Sequence, residues 1–371
     1  MKQFLFLVFF VPAIAFGQHE VEIKIKSLPS YHSSSDPIYI AGSFNGWNPA
    51  DERYKLKNDN GAYKIELNLP QGGYEFKFTR GNWEKGETTA DGKSAGNREL
   101  IVTGDRKLEI SIAGWQDHFP AVPKLSTASK TVRILDTAFY IPQLNRYRRI
   151  WVYLPKNYSP HKRYPVLYMH DGQNVFNDST SFSGEWGVDE FFDTTALAQA
   201  IVVAIDNGGQ YRLNEYSPYD MDRYGKGQGM QYVEFIVWNL KPYIDRKFRT
   251  YKNRQNTFIA GSSMGGLISM YAILRYPNVF GGAGVFSPAF WVAPRINNLV
   301  ETHGKKLRGK VFFYAGKQES DSMVSDMLKV FERLSILSKA KMTTVIRDDG
   351  KHHESAWRRE FPSFYRWMLL N

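Results

Sequence analysis

The chain has 371 residues, of which 43% are hydrophobic and 23% charged, and it carries a formal net charge of +11. These proportions are typical of a globular protein, and the length favours two domains over one. The absence of cysteine from the sequence excludes disulfide bonds and a thiol nucleophile. Lys and Arg residues are scattered, with the densest group at 146–149. We therefore expect the charge to favour solubility and to attract acidic substrates or surfaces, and we expect no nucleic-acid partner.

Residues 1–18 have the composition of a secretory signal peptide. Lys2 supplies a positive charge, residues 4–10 form a short apolar run, and small residues at 13–17 offer a cleavage site. The apolar run is too short to span a bilayer, and no later segment is long and apolar enough to do so. The sequence predicts an exported protein, periplasmic or secreted, with no membrane span.

Residues 19–115 alternate between apolar and polar side chains in short runs, such as 21–25, 74–78 and 108–112. A period of two, with turn residues at intervals of about ten residues, predicts a small all-β, immunoglobulin-like sandwich domain. Residues 116–130 contain prolines and small polar residues without periodicity. They are predicted to be a linker.

Residues 131–371 change to continuous apolar runs separated by helix-like segments. The runs at 164–169 and 200–205 are typical of the buried strands of a parallel sheet. Strands that alternate with helices over this length predict a doubly wound α/β sheet. The other predicted strands are 132–140, 149–154, 256–260, 280–286, 310–315 and 342–347, and the predicted helices are 188–197, 230–248, 265–276, 322–339 and 354–370.

Between the predicted strand 256–260 and the helix 265–276 lies Gly261-Ser262-Ser263-Met264-Gly265. A Gly-x-Ser-x-Gly sequence in this context is typical of a nucleophile elbow, in which a strained turn presents the serine hydroxyl above the sheet. Small residues on both sides leave room for the turn. The sequence predicts Ser263 as the nucleophile of a serine hydrolase with an α/β-hydrolase fold.

A serine nucleophile requires a histidine base and an acid that orients it, and in α/β-hydrolases both follow the serine. His352 and His353 lie between the last predicted strand and the last helix, where the base is expected. The acid is expected in the loop after strand 310–315. Glu319 is the first choice there, with Asp321 in reserve because it is well placed to cap the next helix.

The oxyanion hole requires two backbone N–H groups that point at the developing negative charge. Met264, directly after the nucleophile, is expected to supply one, and Gln173, in the loop after strand 164–169, the other. His170 and Asp171 in the same loop are also compatible with a second catalytic pair or a metal site. Because no further ligand follows at metal-binding spacing, we expect neither a metal nor a cofactor.

Residues 132–370 resemble the family of esterases that holds esterase D, enterochelin esterases and feruloyl or acetyl xylan esterases. In this family the base stands two residues before a glutamate and five before a tryptophan, which selects His352, and a Gly-x-x-acid motif selects Glu319. The resemblance also implies a pocket lined by Arg212, Glu215, Tyr216, Phe290 and Trp291, although the two aromatic residues 290 and 291 are equally compatible with the core. The motifs that carry it are 170–176, 261–266, 316–319 and 350–357.

The first predicted domain resembles the starch- and glycogen-binding modules of carbohydrate-binding families 20 and 48, through the motif at 42–49 and shorter matches downstream. The resemblance implies that Trp47 and Trp83 are stacking platforms for sugar rings and that Lys77 is a hydrogen-bonding flank. In many enzymes this module only packs against the catalytic domain, so sugar binding here stays a hypothesis.

The motifs together predict an exported serine carboxylic ester hydrolase that cuts a carbohydrate-linked ester, feruloyl or acetyl, through an acyl-enzyme. Its partner would be an ester-bearing carbohydrate or another small-molecule ester, with polysaccharide bound by the first domain. One alternative is a siderophore trilactone esterase, since a basic surface suits an anionic ferric catecholate. The other is a glycan-binding or acyl-transferring protein in which the hydrolase fold has lost or redirected its activity.

Overall fold

The computed structural model describes residues 18–93, 95–119, 124–221 and 225–370. The chain forms two compact units, divided between residues 122 and 123. The predicted signal peptide lies outside the described residues, apart from Gln18, which begins the first strand. No helix in these described ranges is long and apolar enough to cross a membrane.

The first unit consists of β-strands joined by turns and short 3-10 helices in its described part. Its strands are β1 (Gln18–Ser27), β2 (Tyr39–Gly42), β3 (Lys57–Asp59), β4 (Ala62–Pro70), β5 (Gly72–Thr79), β6 (Glu87–Thr88), β7 (Arg98–Val102), β8 (Arg106–Ser111) and β9 (Gly114–Trp115). One sheet has the order β3-β4-β1-β8, a second has the order β2-β5-β7, and β6 pairs with β9.

The core of the first unit follows from the alternation in its sequence. In β1, Val21 and Ile23 are buried while Lys24 is exposed, and in β5, Phe76 and Phe78 are buried on either side of the half-buried Lys77. Because neighbouring residues of a strand point to opposite faces, each sheet presents one apolar face to a shared core. The predicted all-β domain is confirmed.

The predicted linker, residues 116–130, contacts a unit at each of its described ends. His118 stacks on Tyr31 of the first unit, with ring centroids 3.4 Å apart. Thr127 Oγ1 donates a hydrogen bond of 3.0 Å to Glu185 Oε2 of the second unit. The described parts of this segment therefore pack against the units, which the sequence pattern did not indicate.

The second unit is a sheet of eight described strands covered by helices on both faces. Its strands are β10 (Val132–Ile141), β11 (Arg146–Tyr153), β12 (Val166–His170), β13 (Ile201–Ile205), β14 (Thr257–Ser262), β15 (Gly282–Phe286), β16 (Lys310–Gly316) and β17 (Lys341–Arg347). Its helices are α1 (Val188–Thr194), α2 (Arg212–Tyr216), α3 (Gly229–Phe235), α4 (Lys241–Lys247), α5 (Met264–Arg275), α6 (Ile296–His303), α7 (Met323–Leu337) and α8 (Glu354–Leu370).

The order of this sheet is β10-β11-β13-β12-β14-β15-β16-β17. From β13 to β17 all neighbours are parallel, so their carboxyl ends meet at one edge. Val203 and Val285 face one buried layer, and Val202 and Phe286 face the other. The predicted α/β fold is confirmed, and ligands of such sheets bind at the carboxyl edge.

The predicted helices occur within a few residues of their predicted bounds, with two differences. The predicted helix 230–248 contains a π-helical stretch, Ile236–Leu240, between α3 and α4. Helices α2 and α6 were not predicted. In α6 only Ile296 and Val300 are buried, and such a short apolar stripe is a weak sequence pattern, so packing against the core, and not propensity, defines this helix.

Candidate functional site

Ser263 is the single residue between the end of β14 and the start of α5. Its backbone angles, φ 59° and ψ −121°, lie outside the regions that non-glycine residues favour. A Cβ at Gly261 would lie 3.0 Å from Gly265 and from the His170 ring, and one at Gly265 would lie 3.3 Å from His170. The two glycines therefore allow the sharp turn that a nucleophile elbow needs.

The loops after β16 and β17 bring Glu319 and His352 together. His352 Nδ1 lies 2.8 Å from Glu319 Oε2, and the Glu319 side chain has no exposed surface. Its other oxygen, Oε1, accepts hydrogen bonds of 2.7 Å from Ser287 Oγ and from the Gly316 N–H. Because a carboxylate only accepts hydrogen bonds, the proton of His352 lies on Nδ1, which leaves Nε2 free to act as a base.

The alternative residues have other partners. His353 Nδ1 accepts a hydrogen bond of 3.1 Å from the Ser355 N–H at the start of α8. Asp321 is exposed, and the N–H of Met323 at the start of α7 is bound by Ser320 Oγ. The geometry thus joins Glu319 to His352 and does not join it to His353.

Ser287 and Trp357 contact the Glu319–His352 pair from the buried side. Ser287 is fully buried, and its Oγ accepts a hydrogen bond of 2.9 Å from Trp357 Nε1 while it donates to Glu319. The Trp357 ring meets the His352 ring edge to face, with centroids 5.1 Å apart. One buried hydroxyl therefore links the acid to the residue that packs on the base.

The backbone of Ser263 is bonded to the chain that carries Ser287. Its N–H donates to the Phe286 carbonyl at 2.9 Å, and its carbonyl accepts from the Ala289 N–H at 3.0 Å. Among the described residues no hydrogen bond joins Ser263 Oγ to His352. In enzymes without substrate this contact is often long, so the third side of the triad stays a prediction.

The predicted oxyanion donors lie at the starts of two helical turns. The Met264 N–H is at the first position of α5, where no carbonyl of the helix can accept it. Gln173 is the middle residue of the 3-10 turn Gly172–Asn174, whose first bond runs from the Asn174 N–H to the Asp171 carbonyl. In each turn, therefore, the N–H group of the predicted donor precedes the first N–H that bonds within the turn. It is not used by the helix, as an oxyanion donor requires.

Asp171 and Arg212 fix the loop that carries Gln173. Arg212 Nε and Nη2 donate to the two carboxylate oxygens of Asp171 at 2.6 and 2.8 Å, and Asn207 Nδ2 adds a bond of 2.7 Å. Burial raises the pKa of Asp171, but the Arg212 charge and these hydrogen bonds outweigh it and leave the pKa below its usual range. Arg212 thus secures Asp171 in its left-handed conformation, φ 53°.

His170 and Asp171 do not form a second catalytic pair. His170 Nδ1 lies 2.9 Å from the Tyr232 hydroxyl, while Asp171 is held by Arg212. Burial lowers the pKa of His170 to about 3, so this ring stays neutral at ordinary pH. The described residues contain no group of three or more His, Asp or Glu side chains placed to hold a metal ion.

Three of the residues predicted to line the pocket expose almost no surface. Glu215 is fully buried, and its carboxylate is bound by Arg146 and Arg148 at 2.7 to 2.8 Å. Tyr216 is likewise buried, and Phe290 is 2% exposed. Glu215 lies in a buried ion network, whereas Tyr216 and Phe290 pack in the hydrophobic core. Their role as substrate contacts stays a prediction.

Two exposed aromatic residues lie close in the chain to the catalytic groups. Trp291, which was predicted to line the pocket, is 54% exposed and follows Ala289, the residue bonded to Ser263. Phe182 is 81% exposed, and its N–H donates to Asn174 Oδ1 beside Gln173. The sequence analysis did not single out Phe182, an isolated aromatic residue between two serines.

Left-handed backbone conformations of non-glycine residues concentrate at the predicted functional positions. Apart from Asn60 and Asn145, the described non-glycine residues with positive φ are Trp47, Asp171, Ser263 and Ser287. Asparagine and aspartate tolerate this region in turns, but tryptophan and serine rarely adopt it. Such strain is typical of functional sites, and it marks Ser287, whose role the sequence analysis missed.

In the first unit the structure brings together two of the three predicted sugar-binding residues. The rings of Trp47 and Trp83 lie 6.2 Å apart between centroids, at 42° to each other, and Trp83 is 37% exposed. Lys77 lies in β5, where burial lowers its pKa against the opposing charge of Glu87. The tryptophan pair offers two aromatic faces of the kind that stack on sugars.

Three curated relatives align with roughly half to three fifths of this chain. An uncharacterized protein, YbbA of Bacillus subtilis, is 27% identical over 237 residues, 60% of this chain and 92% of its own. The ferri-bacillibactin esterase BesA of Bacillus subtilis is 26% identical over 53% of this chain and 75% of its own. An endo-1,4-beta-xylanase/feruloyl esterase of Xylanibacter ruminicola is 24% identical over 61% of this chain, but only 30% of its own.

Two solved structures share the fold. The BES protein from Bacillus cereus matches with a TM-score of 0.54 and 21% identity, over 67% of this chain and 99% of its own. The enterochelin esterase from Shigella flexneri matches with a TM-score of 0.52 and 15% identity, over 97% of this chain and 94% of its own. At these identities the likeness concerns the fold alone.

Two family models match separate parts of the chain. The model described as the glycogen recognition site of AMP-activated protein kinase matches residues 28–96 of the first unit. The model described as "Putative esterase" matches residues 141–368, which is 228 of 371 residues. The chain is therefore a member of this esterase family, with a carbohydrate-binding-like module at its N-terminus.

Proposed function

We propose that this esterase is an exported serine enzyme that hydrolyses esters attached to carbohydrates, with a feruloyl or an acetyl group as the acyl part. The observation that carries the proposal is the placement of the strained Ser263 turn and of the bonded Glu319–His352 pair in loops at the carboxyl edge of the same sheet. A buried carboxylate that holds Nδ1 leaves Nε2 of the histidine to act on a hydroxyl.

The reaction follows from these roles. Ser263 Oγ attacks the ester carbonyl carbon while its proton passes to Nε2 of His352, and the carbonyl oxygen becomes an oxyanion that accepts from the Met264 and Gln173 N–H groups. The intermediate collapses, the C–O bond to the alcohol breaks, and the alcohol leaves with the proton from His352. Water then attacks the acyl-enzyme by the same steps and releases the acid, while Glu319 keeps the imidazole oriented.

The carbohydrate part of the proposal depends on the first unit. The match to a glycogen-recognition model and the adjacent Trp47 and Trp83 rings support a glycan ligand. The similarity to a xylanase/feruloyl esterase supports a plant-type ester. Export is supported by the residues 1–18, and cleavage there can be checked by N-terminal sequencing of the protein recovered outside the cytoplasm.

A siderophore trilactone esterase is the second candidate. The observation that favours it is the similarity to a ferri-bacillibactin esterase over 75% of that protein, together with a net charge of +11 that suits an anionic substrate. Its chemistry at Ser263 would be the same, so only the substrate distinguishes the two.

The first test compares the mature protein with Ser263→Ala on methyl ferulate, acetylated xylan, a catecholate trilactone and a short p-nitrophenyl ester. We expect turnover on a carbohydrate-type ester and a loss of about 10³-fold or more in the variant. Turnover of the trilactone alone would select the second candidate. Equal inactivity of both proteins on all four substrates would contradict the esterase mechanism and favour a glycan-binding or acyl-transferring protein.

Glycan binding is tested separately with Trp47→Ala and Trp83→Ala in affinity electrophoresis on starch and xylan. Loss of an aromatic platform is expected to weaken retention, while turnover of the p-nitrophenyl ester is unchanged. Because the two rings lie in contact, the double variant should lose less than the sum of the single losses. Unchanged retention in all variants would restrict this module to a structural role.

A further inference from the structure

A buried amide lies between the loop that carries Gln173 and the loop that carries His352. Asn174 directly follows Gln173 and is 8% exposed, and Glu354, two residues after His352, is 7% exposed. Asn174 Nδ2 donates a hydrogen bond of 3.1 Å to Glu354 Oε1. The two residues are 180 positions apart in the chain, so this bond joins loops that follow different strands, β12 and β17.

The other end of the amide fixes its orientation. The Phe182 N–H lies 3.1 Å from Asn174 Oδ1. Because a backbone N–H can only donate, the amide atom that faces it is the oxygen. The amide nitrogen therefore faces Glu354, whose carboxyl oxygen accepts its proton. Turning the amide over would lose both bonds.

The segment 180–186 is fastened to the same loop. Thr180 Oγ1 donates to the Gln173 carbonyl at 2.7 Å, and the Trp186 N–H donates to the Asn174 carbonyl at 2.8 Å. A Cβ at Gly184 would lie 4.0 Å from the His353 ring. The segment therefore packs on the loop of the predicted oxyanion donor and approaches the loop of the base.

The Glu354 carboxyl lies close to titratable groups of both loops. Burial raises the pKa of Glu354, and the negative charge of Asp171 in the first loop raises it further, whereas His353 and His352 in the second loop lower it. Breaking a buried hydrogen bond leaves both groups without a partner away from water, which is costly. The bond between Asn174 and Glu354 therefore resists any movement that separates the two loops.

We propose that Asn174 and Glu354 are positioning residues that set the distance between the predicted oxyanion donor and the catalytic base. The inference rests on the proposed esterase reaction, in which the Gln173 N–H binds the oxyanion while His352 transfers the proton. Both groups must reach the same tetrahedral intermediate, so a shift of either loop by about 1 Å is expected to slow the reaction. The two side chains act through the loops that they join and not by contact with the substrate.

The test variants remove this bond from each side. Asn174→Asp keeps an oxygen for the Phe182 N–H but cannot donate to Glu354, and Asn174→Ala and Glu354→Ala each remove the bond outright. Glu354→Gln keeps an oxygen that accepts from Asn174. The matched control is Asn239→Ala, which deletes an amide that accepts from Gln143 Nε2 at 2.7 Å beside the turn between β10 and β11, at the other edge of the sheet from β17.

The kinetic test measures kcat and KM on a p-nitrophenyl ester. We expect kcat to fall about 10- to 30-fold in Asn174→Asp, Asn174→Ala and Glu354→Ala, less than the 10²- to 10³-fold cost of losing an oxyanion donor itself, with KM little changed. Glu354→Gln and Asn239→Ala should keep most of the activity. The double variant Asn174→Ala/Glu354→Ala should be no slower than the slower single variant, because all three lack the same bond. Losses that multiply in the double variant, or full activity in Glu354→Ala, would overturn the inference.

Hydrogen–deuterium exchange of the full mature protein tests the bond without a substrate. Glu354→Ala should increase exchange in residues 172–176, and Asn174→Asp should increase it in residues 350–354, because each loop loses its attachment to the other. An increase confined to the loop that carries the substitution, or one spread evenly over the whole sheet, would overturn the inference. A wild-type protein that is inert on every ester but shows the reciprocal changes in its variants would contradict the esterase reaction and leave the coupling of the loops in place.

Discussion

Ser287 offers the sharpest test of how the catalytic pair is held. Its hydroxyl is the only side-chain group besides His352 that contacts the Glu319 carboxylate within the described residues, and it also accepts from Trp357. Replacement by alanine removes a hydrogen bond to a charged group, worth about 1.5–3 kcal/mol. If that loss is felt in the transition state, at about 1.4 kcal/mol for each tenfold in rate, kcat should fall roughly 10- to 100-fold with little change in KM.

The same substitution should also lower stability. Trp357 Nε1 would lose its acceptor in a buried position, which costs about 1–3 kcal/mol. Ser287 has φ 43°, a conformation that costs L-residues about 1–2 kcal/mol and glycine none. Ser287→Ala keeps this strain and Ser287→Gly removes it, while both remove the hydroxyl. The pair of variants therefore separates backbone strain from hydrogen bonding.

The assay measures kcat and KM on a p-nitrophenyl ester, with the melting temperature from differential scanning calorimetry. Both variants should be similarly slow, and Ser287→Gly should melt above Ser287→Ala. Full activity in Ser287→Ala would refute the claim that this hydroxyl orients Glu319. Recovery of activity in the glycine variant alone would show that the backbone strain at this position, and not the hydrogen bond, limits catalysis.

Three further changes test the surrounding groups. Glu319→Gln should lower kcat by about 10²- to 10⁴-fold, because an amide cannot hold the imidazole as a carboxylate does. Asp321→Asn should leave the measured kcat nearly unchanged. A larger loss of kcat in Asp321→Asn than in Glu319→Gln would exchange their roles. Arg212→Gln should lower kcat about tenfold with little effect on KM, since its guanidinium holds Asp171; a rise in KM alone would instead indicate contact with substrate. Burial raises the pKa of Asp189, so the native state keeps a proton that the unfolded state releases, and stability falls as pH rises from the ordinary carboxyl pKa to the raised one. Asp189→Asn should therefore make the melting temperature depend less steeply on pH. An unchanged dependence on pH would contradict this.

The sequence predicted the succession of strands and helices along the chain of the second unit, because its buried strands are continuous apolar runs. The runs around Val166–His170 and Ile201–Ile205 have no competing helical pattern. Helix α6 was missed because its interior Asn297 and Asn298 are poor helix formers. Its helical state depends on burial of Ile296 and Val300 in the core beside α5 and α7, which a local pattern cannot indicate.

The positions of the candidate catalytic residues could be predicted where the chemistry requires a particular residue type in a particular turn or loop. Ser263 between two glycines follows from the chemistry of the elbow, and a histidine in the loop before the last helix follows from the chain order of the triad. The burial of Glu215 and Tyr216 was not predictable, because an Arg-x-x-Glu-Tyr segment does not specify which way its side chains turn. Glu215 lies inside with Arg148, while Arg212 reaches Asp171, since each buried charge needs a partner of opposite sign.

The geometry of the site depends on where the backbone is strained. Asp171, Ser263 and Ser287 each follow the end of a strand, β12, β14 and β15, and these strands are neighbours in the sheet. With neighbouring strands about 4.8 Å apart, the three turns lie side by side along the carboxyl edge. They carry the loop of the predicted oxyanion donor Gln173, the predicted nucleophile Ser263 and the hydroxyl that bonds Glu319.

Such strain is costly, and its location explains why it persists. Residues in sparsely populated conformations cost about 1–3 kcal/mol each, so three of them consume a large share of an ordinary net stability of about 5–15 kcal/mol. Each is fastened by bonds that a relaxed turn would break: Asp171 by Arg212, Ser263 by Phe286 and Ala289, and Ser287 by Trp357. The strands beneath are buried on both faces and cannot shift to relieve the strain. The rigid parallel sheet is therefore what allows three strained turns to stay aligned, and substitutions that loosen its core should reduce activity before they unfold the protein.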